Sequence, residues 1–159
     1  YLAGSYLVGE NQFVDHHTFV DHSVALTTSQ QVYSGVLSHK ATGVYNGKVW
    51  IRRDSQKANA EQLSRNLLLA KSAEANTKPE LLIDADDVKA KHGATIGQMD
   101  QEELFYMQSR GLTPVQAREM VLKSFVLGMA DSLPTELKTI FFDRAIIGIN
   151  NFVSDMKNV

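Results

Sequence analysis

Residues 85–98 read ADDVKAKHGATIGQ and crowd two carboxylates, two lysines, a histidine and two glycines into fourteen positions. Paired carboxylates serve acid–base chemistry or hold a hard cation, and a neutral imidazole ligates transition metals. His92 is the most suggestive of these groups. Gly93 follows it and permits close backbone approach, and the pair lies where a strand-like pattern gives way to a helical one. From the residues alone, His92 is either a metal ligand or a hydrogen-bonded structural histidine. Asp84, Asp86 and Asp87 form either a carboxylate cluster, with Asp84 and Asp86 on one strand face, or a solvated strand end; Lys89 and Lys91 would balance their charge. The chain has no cysteine, so it forms no disulfide and supplies no thiolate to a metal.

A second concentration of possible ligands is VDHHTFVDH, in which the triplet V-D-H recurs and brings in His16, His17 and His22. On one extended strand, positions six apart lie roughly 20 Å from each other, at about 3.3 Å per residue. One ion cannot span both ends, so polar residues on strand faces are expected here unless folding reunites them. No G-x-S-x-G elbow, P-loop or dinucleotide fingerprint is present, which removes the common hydrolase and nucleotide-binding readings.

The elements that must position these residues fall into two stretches within 159 residues, enough for one domain with a core built from 43% apolar residues. Residues 1–99 carry short strand-like runs: SYLVG, HTFVDHSVAL, QVYSGVL, GVYNGKVWIRR, NLLLA and PELLIDA. Tyr45, Val49 and Ile51 share one predicted face, with Asn46, Lys48 and Trp50 on the other. Asn46-Gly47 taken by itself is a hairpin signal, yet the irregular strand spacing suits a stacked β-solenoid as well as a sandwich. Residues 100–159 switch to helical spacing. Asp100 with Glu103 forms a capping-box pattern and Gly111 a stop; Thr113, Pro114 and Gln116 open a second helix with Ala117, Met120, Val121 and Phe125 on one face. A third helix begins at Pro134 and Thr135 and carries Leu137, Ile140, Phe141, Ala145, Ile149, Phe152 and Met156 as a stripe.

A net charge of −2 gives no global attraction to nucleic acid. The longest apolar stretches fall far short of the roughly 20 residues of a membrane helix, and no basic segment leads into an apolar one at the start, so neither a membrane span nor a signal peptide is expected. The absence of cysteine is compatible with a reducing, cytoplasmic setting. The chain opens without Met on an already alternating pattern, which reads as a piece of something longer.

The order ADDVKAKHGATIGQMDQEELFYMQSRGLTPVQAR, with SQQVYSGVL, SQKANAEQ and NLLLAKSAEANTKPELLIDADDVK upstream, resembles the C-terminal signature of the SufB/SufD family of iron-sulfur cluster assembly proteins, closer to the SufD branch. The resemblance runs from about His22 to Phe125 and implies a right-handed parallel β-helix followed by a small C-terminal helical subdomain. It further implies a scaffold rather than an enzyme. Such a chain pairs with a SufB-like paralogue, or a second copy, through the β-helix, and docks a SufC-like ABC-type ATPase through the C-terminal helices. ATP hydrolysis then belongs to that partner, and no nucleotide binds here. The family motif D-V-K-C-S-H-G-A-T is matched by Asp87, Val88, Lys89, Ala90, Lys91, His92, Gly93, Ala94 and Thr95. The resemblance makes His92 a ligand of a nascent iron-sulfur cluster shared with a cysteine of the partner; Ala90 stands where the family has its own cysteine.

Other departures touch the surface. Ser34 replaces a family lysine, and Ala58 and Asn59 replace a threonine and an aspartate in A-Q-K-T-D-A. His22 matches a family histidine to which a packing role is assigned. An open solenoid end invites capping by another chain, so a dimer is expected. Two alternatives remain: a carbohydrate-active β-solenoid enzyme with Asp84, Asp86, Asp87 and Lys89 lining a groove, and a purely structural paralogue without iron handling.

Overall fold

The computed structural model describes the backbone of residues 1–157 and the side chains of residues 1–154. Seven strands come first: β1 (Leu2–Val8), β2 (Phe13–His22), β3 (Thr28–Leu37), β4 (Thr42–Ile51), β5 (Asn59–Leu68), β6 (Glu74–Ile83) and β7 (Lys89–Gln98). The odd-numbered strands make one sheet in the order β1-β3-β5-β7, and the even-numbered ones a second in the order β2-β4-β6. Every pairing is parallel, so the chain alternates between two sheets and winds a β-solenoid of about three turns. Leu2 lies opposite Gln31, and Thr28 opposite Asn59. One coil therefore consumes 29 and then 31 residues in this sheet.

The predicted faces of β4 hold: Tyr45, Val49 and Ile51 are fully buried, whereas Lys48 is exposed and Asn46 and Trp50 are half-buried. Asn46-Gly47 is not a hairpin. The dipeptide lies inside β4, with Asn46 opposite His17 on one side and Lys78 on the other. The physical reason is a packing need. A Cβ on Gly47 would collide with the Gln62 amide and the Tyr45 hydroxyl, which meet across the interior of the coil at this level. Gly35 does the same for Tyr6, whose hydroxyl donates to Asn66 Oδ1 at 2.6 Å over the space a Cβ would fill.

The change from strands to helices falls between Gln98 and Gln101. Helix α1 (Gln101–Ser109) is capped by Asp100, which accepts from the Glu102 N–H at 2.8 Å rather than forming the reciprocal box expected with Glu103, and Gly111 follows at φ +97°. Helix α2 (Pro114–Leu127) has the full predicted box between Thr113 and Gln116. A short 3₁₀ turn, Gly128–Ser132, leads to α3 (Thr135–Lys157).

The helices pack on the outer face of the four-stranded sheet. Val36 and Leu67 meet Leu122, Val126, Ala145, Ile149, Phe152 and Val153 there. The buried face of α2 is therefore Ala117, Leu122 and Val126, with Phe125 at its margin, and Met120 is exposed. On α3 the expected stripe is used from Phe141 to Phe152, while Leu137 and Ile140 stay exposed because the sheet lies under the later turns only. Met156, the last residue of that stripe, lies outside the residues whose side chains are described.

Two substitutions test this construction. Gly47→Ala forces Tyr45 and Gln62 apart and should destabilise the protein by about 1–3 kcal/mol through overpacking, read as a lower urea midpoint at unchanged m-value. Thr113→Ala removes the α2 cap and should cost about 1 kcal/mol in the same measurement.

Candidate functional site

β7 is the last strand of its sheet. It pairs with β5 in the register Ala60 with Ala90, Glu61 with Lys91, Gln62 with His92 and Leu63 with Gly93. Paired residues of parallel strands share a face, and Ala60 and Gln62 are buried toward the interior. Ala90 and His92 thus take the inward face. Ala90 packs there beside the cluster of Val49, Ile51, Ala58 and Ala60. Lys91 takes the outer face, where its Nζ lies 2.9 Å from Glu61 Oε1, and Gly93 does too, since a Cβ on it would sit 3.3 Å from Leu63. His92 itself is exposed, because no further strand covers it among the described residues.

His92 lies just ahead of the junction between strands and helices, in the last strand before α1. That strand has ten residues, so the His92 backbone is held by ladder hydrogen bonds and its side chain is the part free to move. The sequence hid this strand because Lys89, Lys91, Gly93 and Gly97 break the apolar alternation.

The aspartates do not converge. β6 ends at Ile83, so Asp84, Asp86 and Asp87 occupy the connection to β7 and not a common strand face. Asp84 Oδ2 accepts from Trp50 Nε1 at 2.7 Å, and the Asp87 N–H donates to Gln56 Oε1 at 2.9 Å. Lys91 balances Glu61 rather than these carboxylates. Among the described residues, no three His, Asp or Glu side chains are grouped to hold a metal ion.

The three upstream histidines also separate, as their spacing on one strand requires. His17 faces outward and pairs with Asp15 at 3.0 Å. His16 faces inward and stacks on Tyr6 with ring centroids 5.0 Å apart. His22 is buried, with Nδ1 2.7 Å from Thr27 Oγ1 and Nε2 2.8 Å from Ser29 Oγ. Burial pushes the His22 pKa below the ordinary histidine value, and Asp21 opposes this only in part.

What the sequence did not single out is the polar interior next to His92. Gln31 lies opposite Gln62, which lies opposite His92. Thr18 Oγ1 donates to Gln31 Oε1 at 2.7 Å, the Tyr45 hydroxyl donates to the same oxygen at 3.3 Å, and Gln62 Nε2 donates to the Tyr45 hydroxyl at 3.2 Å. Spacings of 31 and 30 residues between Gln31, Gln62 and His92 were the available signal. They become meaningful only once the length of a coil is known. A cavity of about 440 Å³ lies elsewhere, between the coil ends at Ser38 and Leu69 and helices α1 and α2, and His92 does not line it.

A sequence profile described as SUF system FeS cluster assembly, SufBD core domain, matches residues 1–125. The chain belongs to the SufBD family. It is 35% identical to the iron-sulfur cluster assembly protein SufD of Escherichia coli over 127 residues, 80% of this chain and 30% of that protein. Against an iron-sulfur cluster assembly SufBD family protein of Synechocystis it is 39% identical over 134 residues, 84% of this chain and 29% of the relative. A chloroplastic protein of Arabidopsis thaliana, ABCI7, matches at 36% over 124 residues, 77% of this chain and 26% of the other. The chain thus spans less than a third of the length of these relatives. The parallel solenoid followed by helices agrees with the architecture that the family resemblance led us to expect.

Burial of His22 makes stability pH-dependent. The folded pKa lies below the unfolded value of about 6.5, so the unfolded chain takes up the proton first. The stabilisation from the neutral ring is complete above about pH 6.5 and is lost as the pH falls from there through the folded value. The melting temperature should drop between about pH 7.5 and pH 5, and drop less in His22→Asn; parallel slopes for both proteins would contradict the assignment.

Proposed function

We propose that this chain acts as a non-catalytic scaffold in SUF iron-sulfur cluster assembly, with the nascent cluster as its cargo and His92 as the residue that touches it. The observation that carries this reading is the place of His92: exposed, on the inward face of the edge strand β7, with Ala90 beside it on the same face. A second chain added to that edge would bring its own side chains against the imidazole. A thiolate from a SufB-like partner and a neutral imidazole form a sensible ligand set for iron, and the thiol missing at Ala90 is then supplied from outside.

Two surfaces support the partner roles. Among the described residues the last coil leaves the outer edge of β7 without a strand and exposes Ile83 and Ile96, a template for pairing with a SufB-like paralogue or a second copy. Helices α1 and α2 expose Phe105, Tyr106, Val115 and Met120, more apolar surface than two short helices need on their own and a fit for the SufC-like ATPase. Among the described residues no helix is long and apolar enough to cross a membrane. The carbohydrate-active alternative draws no support from the geometry, because its carboxylates sit apart in a connection.

The test uses the full-length protein mixed with the SufB-like and SufC-like proteins of the same genome. A stable complex is expected by light scattering after size exclusion. The double change Phe105→Ala with Tyr106→Ala should release the ATPase while the paralogue stays bound. His92→Ala should leave assembly intact and abolish cluster maturation. Full maturation in that variant would favour the purely structural paralogue.

A further inference from the structure

The interior network fixes which way the Gln62 amide points. The Tyr45 hydroxyl has one proton, and both groups able to take it lie on the side away from Gln62: Gln31 Oε1 at 3.3 Å, and Thr18 Oγ1, also at 3.3 Å, whose own proton goes to Gln31. The hydroxyl oxygen must then accept from whatever group of Gln62 faces it, which makes that group Nε2, at 3.2 Å. Gly47 provides the room for this contact. The opposite end of the amide, Oε1, is turned away from Tyr45, is buried, and has no hydrogen-bond partner. A buried carbonyl left unpaired costs about 1–3 kcal/mol and calls for a donor.

The next strand offers one. Register places His92 opposite Gln62 on the same face, about 4.8 Å away from strand to strand. Ala90 and Ala94, the neighbouring inward residues of β7, carry no polar side chain. With its backbone fixed in the ladder, side-chain rotation is the motion left to the exposed imidazole for bringing a ring N–H toward Oε1. Gln31 Nε2, one coil back, also lacks a partner. An amide oxygen has two lone pairs, so a bond from Gln31 still leaves one for the histidine.

We propose that Gln62 is the positioning residue for His92: its side-chain oxygen accepts one ring N–H and so selects the tautomer whose other nitrogen is bare and faces the open edge. This rests on the reading of His92 as a cluster ligand and supplies the orienting hydrogen bond that a metal-binding imidazole requires. Tyr45 acts through Gln62 by preventing the amide from turning over. A glutamine without that hydroxyl could present either its oxygen or its NH₂ group to the imidazole, and the tautomer would no longer be selected.

The experiment uses the full-length protein labelled with ¹⁵N-histidine, with long-range ¹H–¹⁵N correlation reporting which nitrogen of His92 carries the proton. Wild type, Gln62→Met and Tyr45→Phe are compared. One tautomer is expected in wild type and a mixture in both variants; Tyr45→Phe decides the matter if Gln62→Met does not fold. An unchanged tautomer in the folded variants overturns the proposal. Cluster yield in the assembled complex provides the second readout, with a fall of about tenfold or more expected for Gln62→Met. Loss of maturation in His92→Ala beside an unchanged tautomer in Gln62→Met would refute the positioning role and leave the ligand role standing. A shifted tautomer beside full maturation in His92→Ala would do the reverse.

Discussion

Parallel, in-register stacking places each inward side chain directly beside its equivalent one coil away, and most of the molecule follows from that constraint. Polar residues pointing inward find partners along the sheet or across the bore, although Gln31 Nε2 and Gln62 Oε1 are left without one. Tyr6 reaches Asn66, and Thr18, Gln31, Tyr45 and Gln62 form one connected chain. The rings of Tyr6, His16, Tyr33 and Tyr45 follow one another with centroids 4.7 to 5.6 Å apart, the first pair stacked and the other two tilted. Burial raises the Tyr6 pKa to about 12, which keeps this hydroxyl a neutral donor. Glycine appears opposite the largest of these groups, at Gly35 and Gly47, because the bore cannot hold a Cβ there as well.

The two faces of the same strands do different work. Inward, β3 and β5 carry Gln31, Gln62 and Asn66; outward, they present Val36 and Leu67 to the helices. The helices are therefore fastened to the solenoid without entering it, and the interior remains continuous up to the last coil. At β7 the ladder runs out of strands. The residue that in the two preceding coils is a buried glutamine becomes an exposed histidine, and the hydrogen-bonding pattern that required a neighbour now faces an open edge.

Some of this was legible in the sequence because it depends on local physics. The Thr113, Pro114 and Gln116 cap, the stop at Gly111 and the two faces of β4 are short-range matters of side-chain length and backbone angle, and the structure shows them where they were expected. The wide separation of His16 and His22 along β2 follows from strand rise alone. Long family motifs added the solenoid architecture, which periodicity could not choose over a sandwich.

The tertiary structure decided what depends on register. Nothing within a few residues of Asn46-Gly47 tells a hairpin from a strand that must make room for Gln62, a residue of the next coil. Nothing near His92 shows that it stands opposite Gln62. Leu137 and Ile140 belong to the same helical stripe as Ile149, yet only the later turns meet the sheet. Which residues could cap, alternate and ligate is readable from the chain alone, because those properties belong to single side chains and their near neighbours. Which of them meet was set by coil length and stacking, since a contact across some 30 residues exists only after the chain has closed a full turn.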